Sequence, residues 1–143
     1  MPSSTFTFYQ DFKEQLGKGV HDLSTHDLKF ALTNSAPNVS THTVLADITQ
    51  ISTGGGYTGG AGGGVALSGE SYTESAGTGT FIATDLVITA SGGSIGPFRY
   101  AVLYNNTAAS DNLIGYLDYG SSITLADTET LTLDFTTSIF TVA

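Results

Sequence analysis

Several residue types are missing from this chain, and their absence excludes whole classes of protein. The 143 residues contain no cysteine, so no disulfide framework can form and nothing indicates an oxidising compartment. No stretch approaches the ~20 apolar residues that a membrane-spanning helix needs. The first residues show neither the basic nor the apolar region of a secretory signal. We therefore expect a protein made in the cytoplasm that has no membrane partner.

Positive charge is scarce as well. The chain has four Lys and Arg against 13 Asp and Glu, which gives a formal net charge of −9. Phosphate-binding proteins need clustered Lys and Arg, so this composition predicts no nucleic-acid partner. Charged residues make up only 12% of the chain, but hydrophobic residues reach 40%. The low charge therefore indicates a folded domain with a polar, weakly ionised surface rather than disorder.

The chain length suits one domain, but its opening differs in character from the rest. Phe8, Phe12 and Leu16 recur at helical spacing, which predicts a short amphipathic helix over residues 8–19. We expect residues 1–27 to form an N-terminal arm that carries this helix. We expect residues 28–143 to form a β body within the same compact domain.

Alternating patterns predict many short strands in the body. The first, from Leu28 to Leu32, alternates apolar and polar residues as a half-buried strand does. Val44–Ile51 fits either a strand or a short helix, and Asp85 is a candidate β-bulge. Further strands are predicted at 65–67, 71–74, 80–84, 86–90, 98–104, 113–119, 122–125, 129–135 and 138–142. This series of short strands is typical of a mainly β protein, an antiparallel β-sandwich or barrel of jelly-roll type with a short N-terminal helix.

A glycine-rich tract occupies residues 53–64. Ordering so many glycines costs much backbone entropy, so we expect a flexible loop or an arm that becomes ordered on contact. Its first residues match G-x-G-x-x-G literally. The dinucleotide site needs a strand before this motif and a helix after it. The surrounding sequence predicts neither, so we expect no cofactor.

Catalytic and metal-binding patterns are weak. The histidines His21, His26 and His42 fall in polar stretches, where we expect solvated turn residues rather than metal ligands. No histidine follows residue 42, so a nucleophilic triad cannot form in the β body. Its acidic residues are expected to cap turns or point outward. We therefore expect no catalytic residue, no metal site and no enzymatic activity.

Aromatic residues and one arginine are the candidates for protein contacts. Arg99 is the sole cation beyond residue 29. It is expected either to pair with a carboxylate of its own sheet or to bind an acid or aromatic ring of a neighbouring protein. The candidate interface residues are Phe6, Phe8, Tyr9, Phe12, Leu16, Tyr57, Arg99 and Tyr116.

Five stretches together carry a resemblance to a known family. They are Phe12-Lys13-x-x-Leu16, His21-Asp22-Leu23-x-Thr25-x-x-Leu28-Lys29-x-x-Leu32-Thr33-Asn34-Ser35, Thr43–Ile48, Thr89–Asn105 and Leu113–Gly120. In these stretches the chain resembles small structural proteins from the head modules of tailed bacteriophages. The resemblance implies a virion component, above all a capsid decoration (cement) protein. It supplies no active site to transfer.

Such a protein would bind the outer surface of the shell formed by the major capsid protein, and would stabilise that shell. Self-association is also expected, with a trimer favoured. Two alternatives remain open. One is a tail, fibre or receptor-binding component of the virion. The other, from a different class, is a carbohydrate-binding or hydrolytic β-sandwich, although sugar-binding platforms often display tryptophan and this chain has none.

Overall fold

The computed structural model describes residues 5–135 and 138–143, and β-strands dominate those ranges. The elements in chain order are β1 (Thr7–Phe8), α1 (Gln10–Gly17), β2 (Leu28–Thr33), a 3₁₀ turn (Leu45–Asp47), β3 (Val65–Ala66), β4 (Ser71–Ser75), β5 (Thr78–Ile82), β6 (Leu86–Thr89), β7 (Ile95–Asn105), β8 (Leu113–Leu125), β9 (Thr130–Leu133) and β10 (Phe140–Val142). The predicted fold class is confirmed: antiparallel sheets form a sandwich-like body with one short helix near the N-terminus. None of the described helices has both the length and the hydropathy of a membrane span.

The long strands β7 and β8 form the centre of the molecule. They belong to a five-stranded sheet with the order β1-β8-β7-β2-β3, and every pairing in it is antiparallel. The remaining strands form a three-stranded sheet, β10-β5-β4, and a two-stranded ribbon, β6-β9. The strands predicted at 98–104 and 113–119 are thus the central ones of this sheet, because each has a partner on both sides.

Both faces are buried in the central part of the five-stranded sheet. On one face Phe30 and Leu103 pack with side chains of the two smaller sheets, including Phe81 and Ile88. The opposite face carries Ala31, Val102 and Tyr104, and residues of the 39–48 segment cover it. The prediction that β2 is half-buried is therefore wrong, since the 39–48 segment covers the face that was expected to meet water.

The N-terminal segment is part of this core and not a separate arm. Phe8 pairs with Gly115 as part of β1, and the backbone N–H of Tyr9 donates to the carbonyl of Ile114 at 3.1 Å. These pairings hold residues 7–9 extended, so the helix begins at Gln10 rather than at residue 8 as predicted. Residues 1–4 of the predicted arm lie outside the described residues.

The glycine-rich tract is likewise tied to the core. The Tyr57 side chain is 2% exposed, and its hydroxyl accepts the backbone N–H of Leu32 and donates to Gln50 Oε1, both at 2.9 Å. The hydroxyl of Tyr104 donates to the carbonyl of Gly63. The structure therefore differs from the predicted flexible loop or arm that becomes ordered on contact, because buried tyrosines hold the tract at both ends.

The structure decides one alternative that the sequence left open and corrects two further expectations. The region around Val44–Ile51 holds the short 3₁₀ turn, whose Asp47 Oδ2 accepts the N–H groups of Thr43 and Val44. Asp85 is not a bulge, because β5 and β6 lie in different sheets. The stretch 122–125 is not a separate strand but the continuation of β8.

Candidate docking surface

The β6-β9 ribbon presents one face to the core and the other to solvent. Leu86 and Ile88 of β6 are buried, and so are Leu131 and Leu133 of β9. Because side chains alternate along a strand, the residues between them point outward. We call these outward residues the outer ribbon face: Val87, Thr89, Thr130 and Thr132.

The outer ribbon face combines an exposed apolar residue with uncharged hydroxyls. Val87 is 54% exposed and lies opposite Thr132 in the ladder, while Thr89 lies opposite Thr130. The other large hydrophobic side chain found exposed among the described residues is Ile82, at 40%. Within those residues β6 and β9 pair only with each other, so each strand leaves an edge open to pairing with another chain.

Carboxylates fix the ribbon at both ends. Asp85 accepts the backbone N–H of Phe135 at 2.7 Å, next to the end of β9. At the opposite end Glu129 accepts the N–H of Ala126 at 2.7 Å, and Asp127 accepts the N–H of Gly92 at 3.0 Å. Glu129 thus caps a turn as predicted, and the three carboxylates leave negative charge at both ends of an uncharged face.

The positive charges are largely engaged within the chain. Arg99 of β7 makes a two-pronged ion pair with Asp118 of β8, at 2.8 and 3.1 Å. The guanidinium group holds the pKa of the Asp118 carboxyl below its usual range. Lys18 pairs with Glu14 at 2.8 Å, and Lys29 donates to the carbonyl of Gly62 at 2.8 Å. Of the two interpretations of Arg99, pairing within its own sheet is therefore the one that the structure shows.

Three of the predicted interface residues are core residues. Tyr9 is fully buried, and Phe12 and Tyr57 are each 2% exposed. They offer no surface to a partner in the folded chain, so their assignment to an interface is corrected. Burial also raises the pKa of the Tyr57 hydroxyl to about 12.

The other predicted aromatic residues are half-buried and also packed within the chain. The Phe6 ring stacks on Phe140 at 5.0 Å, and Phe8 stacks on Phe12 at 5.1 Å. Leu16 packs against the same core. Tyr116 lies with its ring 5.9 Å from that of Tyr9.

A repeated turn motif was missed in the sequence. Residues 22–26 read Asp-Leu-Ser-Thr-His and residues 38–42 read Asn-Val-Ser-Thr-His. In each, Oδ1 of the first residue accepts the N–H groups two and three positions on. In each, the histidine Nδ1 accepts the N–H of the first residue. We call residues 22–27 the first turn and residues 38–43 the second turn.

The two turns hold the two ends of the β7-β8 loop, residues 106–112. On one side Asp27 of the first turn accepts the N–H of Asn106 at 2.8 Å through its carbonyl. On the other side Thr43 of the second turn accepts the N–H of Leu113 at 2.9 Å. The shared D/N-x-S-T-H pattern at a spacing of 16 residues was the signal in the sequence for this arrangement.

One histidine prediction is wrong. His21 precedes the first turn and is 6% exposed, so it is not a solvated turn residue. His26 and His42 occupy equivalent places in the two turns. Among the described residues, no group of three or more His, Asp and Glu side chains is placed to hold a metal ion.

A small cavity lies between the ribbon and the five-stranded sheet. Its volume is about 10 Å³, and apolar side chains of Leu32, Ile88, Phe98 and Leu133 help to line it. That volume accommodates roughly one water-sized sphere.

Comparisons of the chain with protein-family models, with curated proteins and with solved structures found no match.

Proposed function

We propose that the protein is a structural component of a tailed-phage virion, a decoration protein that binds the outside of the capsid shell. The observation that carries this proposal is the outer ribbon face, an uncharged surface between two open strand edges. The resemblance of the sequence to head-module proteins supports the same function. In this proposal the protein has no catalytic role.

The chemistry of this face suits close protein contact. Hydroxyl groups and a valine lose less solvation free energy on contact than ions do. An open edge can add an extended strand of the partner through backbone hydrogen bonds. The proposed occupant is an exposed extended segment of the major capsid protein, with a basic residue near each end to meet the carboxylates that cap the ribbon.

Repetition on a shell compensates for a modest contact. One standard interface buries about 1,600 Å², but a lattice offers many equivalent sites, and contacts between neighbouring copies would add avidity. A net charge of −9 suits the outer surface of the shell, away from packaged DNA. Self-association, with a trimer favoured, remains part of this proposal.

Co-sedimentation with expanded shells that lack the protein tests the proposal. Wild-type protein is expected to pellet with shells and not with isolated tails. The variant Val87→Lys should weaken binding at least about tenfold, since it places an unpaired charge in a desolvated contact. Its matched control is Thr73→Lys, an exposed position of β4, and this variant should bind as wild type does.

Two results would contradict the proposal. Pelleting with tails and not with shells would move the protein to the tail. Equal shell binding by Val87→Lys and wild type would exclude the outer ribbon face as the contact surface.

A further inference from the structure

Asn105, the last residue of β7, joins two histidines. Its amide nitrogen Nδ2 lies 3.1 Å from Nδ1 of His21 and 2.9 Å from Nδ1 of His26. Its oxygen Oδ1 accepts the backbone N–H groups of Thr107 and Ala108, so Nδ2 must be the atom that faces the rings. Both imidazoles therefore act as acceptors at Nδ1, and neither carries a proton on that nitrogen.

The His21 ring is enclosed as well as constrained. It packs on Phe12 of α1, with ring centroids 5.4 Å apart. Because Nδ1 is an acceptor, the ring proton lies on Nε2, which is buried and has no hydrogen-bond partner among the described residues. Burial, and next the nearby His26, lower the pKa of His21 from 6.5 to about 4. The neutral ring is the form that fits this site.

We propose that His21, His26 and Asn105 form a pH-sensitive lock, which holds residues 20–27 against the end of β7 at neutral pH and releases them in acid. A protonated imidazole carries a hydrogen on both nitrogens. An acidified ring would therefore turn a donor toward the donor group of Asn105. The attractive contact becomes repulsive, and a charged His21 is drawn from its enclosed site to water.

The charged groups around the lock oppose this effect only in part. Asp11 of α1 favours the protonated form of His21, but burial and His26 act more strongly in the opposite sense. Asp22 is occupied within the first turn, where it accepts two backbone N–H groups. The Asp27 carboxylate accepts a hydrogen bond from the side-chain amide of Asn106 at 2.9 Å. The residue that β7 itself contributes, Asn105, is neutral.

The lowered pKa makes stability depend on pH in one direction. Unfolded His21 takes up a proton near pH 6.5, whereas folded His21 does so only near pH 4. The contribution of His21 to stability is therefore complete above pH 6.5 and is lost as the pH falls toward 4. Between pH 6.5 and 4.5 this loss raises the equilibrium constant for unfolding by about ten- to fortyfold.

Urea unfolding of the full chain across this pH range tests the lock. His21→Phe keeps a ring of similar size but cannot be protonated. The rise in the equilibrium constant for unfolding between pH 6.5 and 4.5 should therefore be at least about tenfold smaller in this variant than in wild type. The control is His42→Phe, because His42 bonds Asn38 in the second turn as His26 bonds Asp22 in the first, and it is no part of the proposed lock. It should keep the wild-type pH dependence. The proposal would be overturned if the free energy of unfolding of His21→Phe changed with pH as much as that of wild type. It would also be overturned if His42→Phe reduced this pH dependence as much as His21→Phe does.

A second variant separates the lock from a purely structural role. Asn105→Asp keeps the oxygen that accepts Thr107 and Ala108 but turns a carboxylate toward the two rings. Protonated histidines would then be favoured, so stability should rise rather than fall as the pH drops from 6.5 to 5. An unchanged direction would contradict the proposal.

Proton NMR of the wild type provides a test that does not depend on any variant folding. The His21 ring and the amides of residues 105–108 should titrate together, with a midpoint near pH 4. A His21 midpoint near pH 6.5, or amides that do not follow it, would overturn the proposal.

Discussion

At the scale of single residues, the close approach of backbones decides which side chains are tolerated. Gly115 of β8 lies opposite Phe8 in β1, and a Cβ added there would overlap the Phe6 ring and the carbonyl of Thr7. Gly17, at the end of α1, has open space around the equivalent position. The two glycines therefore occupy opposite environments in the same chain.

We expect Gly115→Ala to lower the free energy of unfolding by about 1–3 kcal/mol, because β1 and Phe6 must shift to make room. Gly17→Ala should leave stability unchanged or raise it by up to about 1 kcal/mol, since alanine favours the helix. Urea unfolding monitored by circular dichroism measures both. Equal effects of the two substitutions would show that β1 does not pack on β8 as described.

At the scale of elements, the N-terminal segment changes its role relative to the sequence prediction. Residues 1–27 were expected to form an N-terminal arm that carries the helix. The structure instead places Phe12 in the main core, and the phenyl rings of Phe8 and Phe140 lie 5.1 and 5.9 Å from its ring. Removal of this segment would open the core, so stability and attachment cannot be separated by deleting it.

Phe12→Ala should therefore cost about 3–5 kcal/mol of unfolding free energy, as other large-to-small core substitutions do. Its control is Lys13→Ala, the adjacent exposed position of α1, which should change stability by less than about 0.5 kcal/mol. Thermal and urea unfolding provide the measurement. A Phe12→Ala protein as stable as Lys13→Ala would restore the interpretation of the segment as an arm.

The elements that were predicted correctly have simple periodic patterns. In β9, the alternation of Leu131 and Leu133 with threonines places each residue on the face that the structure shows. Sequence periodicity cannot show which segments, far apart in the chain, come into contact in the fold. The burial of Tyr57 depends on Leu32, 25 residues away, and the lock depends on Asn105, 84 residues from His21. Such long-range partners explain why the N-terminal arm, the glycine tract and His21 were interpreted wrongly.

The candidate surface was missed for a related reason. The sequence analysis favoured large aromatic residues, which are common at interfaces but also fill cores. In this fold the rings pack on one another around Phe12, and small β-branched residues remain outside. Only the pairing of β6 with β9 shows that Val87 and Thr132 share one outward face.

At the scale of the whole molecule, the proposed role rests on which surface meets another protein. The molecule is acidic, and most of its cations are engaged internally. In the proposed role, attachment would therefore depend on uncharged contact, on open strand edges or on a basic partner, and the β6-β9 ribbon offers the first two together.

A cryo-electron microscopy map of shells saturated with the protein tests this account most directly. We expect the additional density to fit the fold with residues 86–89 and 130–133 against the shell, and with β4 away from that contact. A map in which the outer ribbon face points to solvent, or one with no additional density on the shells, would contradict it.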